Sequence, residues 1–309
     1  MTLRARALAA LRIVGLVVLV GIVLRRVDFA AVGASWRGMG ALTIGLTLSC
    51  FCGAMAVRVA KWTLQVRSLG LATEPVAQAR AFLWGILLGV VTPMRLGELG
   101  RLSALSLDPE RRGDGLRLGA AALLLEKGYE LLVLLSLAIG GCVVVLGQPA
   151  LAAALTLPLM AGAAFGLLPL SPPAALLARL PASIRKNAVD PVLLARDGMS
   201  WRARLAVFGL TGLAQLLNMI GGLQLYRAFG DIDLWTCFLG MPLLTFTSAV
   251  PITVSGIGLR EVLAMELFGR GGYPAHGAAV AATLTYLGAN VVPTLALLPL
   301  ELAGRRAGR

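Results

Sequence analysis

Charged residues are scarce in this chain of 309 residues, and their scarcity excludes an ordinary soluble fold. Asp, Glu, Lys and Arg together make up 14% of the sequence, whereas hydrophobic residues make up 58%. A soluble globular domain is about one-quarter charged. The composition therefore predicts a protein that spends most of its length inside a lipid bilayer.

Side chains that build common catalytic and metal sites are also few. His276 is the only histidine, which argues against a histidine-rich metal site and against a Ser-His-Asp triad. The cysteines lie inside apolar runs without zinc or redox spacing, and we expect buried thiols at Cys50, Cys52, Cys142 and Cys237. No Walker A motif is present. We therefore predict no enzymatic activity, no metal and no cofactor.

Basic residues nevertheless outnumber acidic ones, 28 to 15, which gives a formal net charge of +13. Such an excess can indicate a nucleic-acid partner. Here the Lys and Arg residues form short clusters between apolar runs, as is typical of anchors for anionic lipid headgroups. We therefore predict membrane lipids as partners and no nucleic acid.

Apolar runs fill most of the chain. A spanning helix needs ~20 apolar residues, and eight runs occur, at about 8–24, 39–57, 81–93, 118–147, 150–170, 203–226, 235–254 and 277–302. About six of them are predicted to span the membrane. The first run follows several arginines, as in a signal peptide, but Arg25 and Arg26 come directly after it, so we expect a retained helix.

The other two runs are interrupted by proline and glycine. Run 81–93 has 13 residues, or ~20 Å of helix, which is too short for a ~30 Å hydrocarbon core. It leads into Pro93 and Gly97, and the later run leads into Pro251, Gly256 and Gly258. We predict that each run forms a short helix, a break and a second short helix. The result would be two re-entrant hairpins, at 81–106 and 235–268.

The distribution of Lys and Arg predicts the orientation. With the N-terminus inside, the inside segments carry 18 of these residues and the outside segments 5, in agreement with the positive-inside rule. This predicts a multi-pass protein of the cytoplasmic membrane with both termini cytoplasmic and a cytoplasmic linker at 171–204. The hairpins would enter from opposite faces, which favours an inverted repeat of residues 1–147 and 148–309. The alternative is an uninterrupted eight-span bundle without a repeat.

A small set of ionisable residues lies within the predicted membrane segments: Arg95, Glu98, Arg101, Glu126, Lys127, Glu130, Arg260 and Glu261. A charge at mid-bilayer costs ~2.5–3.5 kcal/mol even on lenient insertion scales. These residues therefore need mutual pairing, a water-filled cavity, or both. Internal salt bridges that touch no substrate remain the alternative to a binding site.

The spacing of these residues suggests how they pair. Glu126 and Glu130 are four apart and share one helix face, so they need a cation that an arginine of either break can supply. Each new half-helix after a break also presents free N–H groups, which form an anion site. The neutral residues Thr283, Tyr286 and Asn290 share one face of the last span and fit either the same cavity or helix packing.

These motifs resemble a known family. The break Pro93-x-Arg95-x-Gly97-Glu98-x-x-Arg101, the segment Glu126-Lys127-x-x-Glu130 and the break from Pro251 to Glu261 are similar to those of the flippase-like family, also called the lysylphosphatidylglycerol synthase transmembrane region. The resemblance covers about residues 10–302. It implies movement of lipids such as aminoacylated phosphatidylglycerol, or handling of isoprenoid-type lipids. We expect no cytoplasmic synthase domain here.

The sequence thus predicts a lipid translocator. Arg101 and Arg260 are predicted to recognise a headgroup phosphate, with Arg95 beside them. Glu98, Glu126, Glu130 and Glu261 are predicted to pair with these bases, to recognise a cationic headgroup, or to carry protons. The alternatives are a secondary transporter of a small solute, an enzyme acting on lipids within the membrane, and a non-transporting partner of lipid-synthesis enzymes.

Overall fold

A computed structural model describes residues 39–71, 74–105, 112–167, 189–249 and 258–296, with a few isolated positions outside these ranges. The predicted first span at 8–24, much of the linker at 171–204, and the break residues Pro251 and Gly256 lie outside the described residues. Within the described ranges all regular secondary structure is helical, which confirms the prediction of an all-α protein.

Nine α-helices of at least nine residues follow one another along the described ranges of the chain. They are α1 (Ala41–Ser68), α2 (Pro75–Val91), α3 (Arg112–Val144), α4 (Pro149–Leu167), α5 (Asp190–Gly198), α6 (Trp201–Phe229), α7 (Leu234–Thr245), α8 (Leu259–Gly269) and α9 (Ala275–Asn290). Two 3₁₀ helices, Pro93–Ala104 and Phe246–Ala249, follow α2 and α7.

Four described helices are long and apolar enough to cross a bilayer: Ala41–Ser68, Gly115–Val144, Trp201–Phe229 and Ala275–Ala296. They correspond to four of the six predicted spans. The predicted span at 150–170 forms α4, which has 19 residues. Its apolar part, like the apolar helices α2 and α7, is shorter than that of the four spanning helices. The chain is therefore a multi-pass helical membrane protein, and the count of six spans stays a prediction.

Helix α1 extends further than its apolar run suggests. The apolar run predicted as this span ends near residue 57, but the helix continues to Ser68. Lys61, beyond the end of that run, is 1% exposed and paired with carboxylates. A charge that finds buried partners does not need to end a membrane helix.

The first break differs from the predicted pair of α-helices. Helix α2 ends at Val91, but the chain continues as a 3₁₀ helix of 12 residues rather than as a second α-helix. Arg95 adopts a left-handed backbone with φ 57°. Gly97 lies against α2 so closely that a Cβ would be 2.2 Å from the carbonyl carbon of Leu88. This close approach explains why glycine is needed there.

The second break lies between α7 and α8, and a carboxylate caps the start of each helix. The side chain of Asp233 accepts a hydrogen bond from the backbone N–H of Thr236 and caps α7, and this bond lowers the pKa of Asp233. Helix α8 begins after Gly258, whose φ of 91° is in the left-handed region that favours glycine. The prediction of a further apolar helix ending near Phe268 agrees with α8.

The described chain forms two compact units, each of which combines distant segments. The first unit contains the described parts of Met1–Gly53, Trp84–Glu98 and Leu217–Arg309, and the second contains Ala54–Leu83 with those of Leu99–Leu216. In the first unit Phe51 packs with Leu225 and Ala289. The core of the second unit is formed by Leu125, Tyr129, Leu132, Met199 and Val207. The predicted repeat of 1–147 and 148–309 stays a prediction.

We predict that Gly97→Ala lowers the stability of the folded protein, by about 1–3 kcal/mol, because the new methyl group overlaps the backbone of α2. The matched control is Gly128→Ala in α3, where a Cβ meets no atom within 4 Å. That change should raise stability by about 0.5–1 kcal/mol through helix propensity. Thermal unfolding in detergent measures both. Equal effects of the two substitutions would contradict the close contact at Gly97.

Candidate functional site

A buried carboxylate lies between two cations in the second unit. The Oε1 atom of Glu126 is 2.9 Å from Nζ of Lys61, and its Oε2 atom is 2.8 Å from Nη1 of Arg101. The side chains of all three are at most 1% exposed. Nζ of Lys61 also donates to Oε1 of Glu130 at 3.0 Å. The cluster places two cations around two carboxylates.

Three separate elements bring these charges together. Lys61 comes from the last turns of α1, Arg101 from the 3₁₀ helix, and the two glutamates from successive turns of α3. The guanidinium carbon of Arg101 is 4.0 Å from the centre of the Phe82 ring. An aromatic face attracts such a cation. Arg101 is therefore held by its ion pair with Glu126 and by the contact between its guanidinium and the Phe82 ring.

Neutral hydrogen bonds fix the frame around Arg101. The indole N–H of Trp62 donates to Gln78 at 3.1 Å, and the amide of Gln78 donates to the carbonyl of Ala104 at 2.8 Å. Gln65, one turn after Lys61, donates to the carbonyl of Ala122 at 2.7 Å. Buried polar groups of this kind rigidify an interior when they are satisfied. They therefore fix α1, α2, α3 and the 3₁₀ helix around the charges.

The same cluster extends from the interior to the surface. Glu126 is fully buried, the side chain of Glu130 is 21% exposed, and that of Lys127 is 36% exposed. Nζ of Lys127 lies 2.9 Å from Oε2 of Glu130. Consecutive ion pairs thus form a line of charge along α3, from the buried Glu126 to the partly exposed Lys127.

The first unit contains a second polar cluster, centred on Tyr286. The guanidinium carbon of Arg260 is 4.0 Å from the centre of the Tyr286 ring, and that of Arg95 is 6.0 Å from it. Arg95 donates to Asn290 at 3.2 Å and lies 3.4 Å from the carboxylate of Glu98. Glu98 and Arg260 are both buried. Two arginines of different breaks are therefore gathered around one aromatic ring.

Glu261 occupies the start of α8. Its Oε2 atom accepts the N–H of Gly258 at 2.5 Å, and its Oε1 atom accepts the hydroxyl of Thr283 at 2.8 Å. A carboxylate in the first turn is favourable because it faces the positive end of the helix dipole. We expected free N–H groups here to receive a ligand phosphate, but one is taken by the protein's own carboxylate. In the first break, likewise, the N–H of Gly97 donates to Thr92.

The structure divides the predicted site residues between the two units. Arg101, Glu126 and Glu130 belong to the second unit, and Arg95, Glu98, Arg260 and Glu261 to the first. The suggested cation for the Glu126–Glu130 face is supplied in part by Arg101, one of the three arginines considered. Of the break residues, Pro93 begins the 3₁₀ helix, Gly97 lies within it, and Gly258 caps the start of α8. Their roles in binding stay predictions.

Lys61 is the residue that the sequence analysis missed. It follows the apolar run at 39–57, so it was not among the ionisable residues expected within the membrane segments. The available signal was its helical spacing from Gln65 and its neighbour Trp62, which together mark a polar and aromatic face. Within the described ranges, no group of three or more His, Cys, Asp or Glu residues is placed to hold a metal ion.

We predict that Glu126→Gln lowers stability by about 3–5 kcal/mol, because it leaves two buried cations without their shared counter-charge. The control is Glu266→Gln, which removes the carboxylate from a pair with Arg270 whose side chains are 65% and 60% exposed. That pair contributes about 0.3–0.5 kcal/mol at most. The free energy of unfolding of both variants, measured in the same detergent, compares the two losses of stability. Similar losses for both variants would show that Glu126 is not an essential counter-charge.

Comparison with known proteins identifies a family but no individual relative. The family model described as "Lysylphosphatidylglycerol synthase TM region" matches residues 7–297. No curated protein and no solved structure matches the chain. The matched residues include both breaks and the Glu126–Glu130 segment of α3. The resemblance inferred from these motifs is thus confirmed over nearly the whole chain.

Proposed function

The chain belongs to the family of the lysylphosphatidylglycerol synthase TM region, and on this premise we propose that it moves a phospholipid or a related polar lipid across the membrane. The family is a membrane region related to lipid handling, and the described chain has four helices able to cross a bilayer. The translocation step is our proposal. The observation that carries it is the buried ionic cluster of Lys61, Arg101 and Glu126.

Membrane interiors rarely contain such charges without a functional reason. Each charged side chain is costly at bilayer depth, and ionisable groups there commonly mark a substrate or proton path. In the second unit the line of charge extends from Glu126 to the exposed side of Glu130 and Lys127. A lipid headgroup that leaves water needs polar groups of this kind along its route. We propose that this line is part of that route.

The ion pairs also suggest how a headgroup is recognised. Nη1 of Arg101 lies 2.8 Å from one oxygen of Glu126, and a guanidinium is also suited to phosphate, to which it can donate two parallel bonds. We propose that a headgroup phosphate replaces Glu126 as a partner of Arg101, while Lys61 keeps Glu126 neutralised. An amine on the same headgroup would pair with a carboxylate. This exchange of partners suits zwitterionic or aminoacylated lipids.

The first unit can take part in a comparable way. Arg260 and Arg95 lie near Tyr286, with Glu98 and Glu261 close by in the same unit. Guanidinium groups near one ring can receive a phosphate, and the carboxylates can receive a cationic headgroup. We propose that both clusters contact lipid at different stages of transport. The partners would be membrane lipids, aminoacylated or isoprenoid-type lipids included, and lipid-synthesis enzymes that deliver them.

The finer architecture belongs to the same proposal. We propose six spans with two re-entrant hairpins related as an inverted repeat, in the cytoplasmic membrane with both termini cytoplasmic. The short apolar helices α2 and α7, each followed by a 3₁₀ segment, support two similar broken elements. The protein is proposed to act by transport rather than by catalysis.

Lipid movement in vesicles tests the proposal. Purified protein is placed in liposomes that contain headgroup-labelled phosphatidylglycerol, lysyl-phosphatidylglycerol or phosphatidylethanolamine, and the labelled lipid that becomes accessible to a quencher is measured over time. We predict movement above protein-free vesicles for at least one headgroup. Arg101→Lys should reduce the rate about tenfold, because it keeps the charge but loses the bidentate bond to phosphate. Arg270→Lys on the exposed pair should leave the rate unchanged.

Two results would count against lipid transport. One is the absence of movement for every headgroup with folded protein, which would favour a non-transporting partner of lipid-synthesis enzymes. The other is uptake of a soluble solute while labelled lipid stays in place, which would favour a secondary transporter. A lipid rate that responds equally to Arg101→Lys and Arg270→Lys would leave transport intact but would contradict the role of Arg101.

A further inference from the structure

A buried arginine at the corner between α5 and α6 lacks hydrogen bonds for part of its guanidinium. Arg204, in the first turn of α6, is 5% exposed. Its Nε and Nη1 atoms are buried without a hydrogen-bond partner among the residues that the structure describes. A buried charge without hydrogen bonds is strongly unfavourable. We propose that this corner is a binding site for a phosphate group, separate from the residues proposed for translocation.

A second buried arginine lies on the other side of the turn between the two helices. Arg196, near the end of α5, is 1% exposed and donates through Nε and Nη2 to Oδ1 of Asp197, which is 55% exposed. Met199 and Ser200 form the short turn that joins α5, which ends at Gly198, to α6, which begins at Trp201. The corner therefore has a buried arginine on each side of its turn.

The surroundings of this corner are largely apolar. Met199 and Val207 precede and follow Arg204 and pack into a core with Leu125, Tyr129 and Leu132. The phenol of Tyr129 donates to the carbonyl of Gly166 at 2.9 Å, and it makes no hydrogen bond to Nε or Nη1 of Arg204. An anion with several acceptor oxygens can supply the acceptors that these two atoms lack. Arginine is suited to phosphate because its planar fork donates two hydrogen bonds at once.

The position of the corner suggests where such a phosphate comes from. Arg204 begins the spanning helix α6, next to the exposed side chains of Trp201 and Arg202. Tryptophan and arginine at the start of a spanning helix are typical of the level of lipid headgroups. The phosphodiester of an anionic lipid would lie there naturally, whereas inorganic phosphate would reach it from solution. Both sources offer the same chemistry, and an experiment distinguishes them.

Ligand-induced stabilisation tests the site directly. Delipidated protein in a neutral detergent is titrated with dioleoyl-phosphatidylglycerol, with inorganic phosphate, or with dioleoylglycerol, which has no phosphate, and the unfolding temperature is recorded. We predict that a phosphate-bearing ligand raises this temperature and that dioleoylglycerol does not. Arg204→Gln should weaken the apparent affinity about tenfold or more, as expected for lost charged hydrogen bonds. Arg270→Gln, with the same change in charge in the exposed pair with Glu266, should behave as the wild type.

A second variant separates ligand binding from folding. If Arg204 lacks a protein partner, Arg204→Met should make the ligand-free protein equally or more stable, since an uncompensated charge is removed from an apolar core. With phosphatidylglycerol or phosphate present, the wild type should become the more stable of the two. The proposal is overturned if Arg204→Met is less stable without ligand, if neither phosphate-bearing probe stabilises the wild type, or if Arg204→Gln and Arg270→Gln respond alike.

These outcomes are independent of transport. The lipid-transport proposal concerns Arg101 and its partners, whereas Arg204 pairs with none of them. Arg204→Gln should therefore abolish the stabilisation while vesicles that contain folded variant still move labelled lipid. If the stabilisation by phosphatidylglycerol is lost in Arg101→Lys and kept in Arg204→Gln, the phosphate binds at the translocation residues instead and the corner site is refuted.

Discussion

The carboxylate of Glu126, which is shared between Lys61 and Arg101, is the interaction on which the second unit depends. A membrane protein can bury a charge only if a partner lies within contact distance, because neither lipid nor apolar side chains can replace the lost hydration. Here the two contacts of 2.9 and 2.8 Å join α1, the 3₁₀ helix and α3. The arrangement of these three elements therefore depends on the ion pairs between them as well as on the packing of their apolar faces.

The same constraint explains why the breaks are built as they are. Arg101 reaches Glu126 from the 3₁₀ helix that follows the end of α2 at Val91. Gly97 allows this segment to lie against the backbone of Leu88. In the first unit, Gly258 permits the turn into α8, and the carboxylate of Glu261 accepts a hydrogen bond from the N–H of Gly258. Irregular backbone is stable in these places because side chains of the protein satisfy it.

The sequence predicted which kinds of charged residue form the site better than it predicted which of them pair with each other. Composition and run length were sufficient for a helical membrane protein, and the cost of buried charge was sufficient to select Arg101, Glu126 and Arg260. Lys61 was missed because hydropathy registers a lysine as the end of a run and cannot register a partner 65 positions later in α3. Arg196 and Arg204 were assigned to a cytoplasmic linker for the same reason. Which carboxylate faces which cation depends on tertiary packing, which local patterns do not contain.

The energetic coupling between Lys61 and Glu126 tests most directly whether this buried pairing organises the protein. The free energy of unfolding is measured for the wild type, Lys61→Met, Glu126→Gln and the double variant. If the two residues stabilise each other, the double variant should lose clearly less than the sum of the single losses, with a coupling energy of at least about 1 kcal/mol. Losses that add to within about 0.5 kcal/mol would show that the two charges act independently and would contradict a shared network around Glu126.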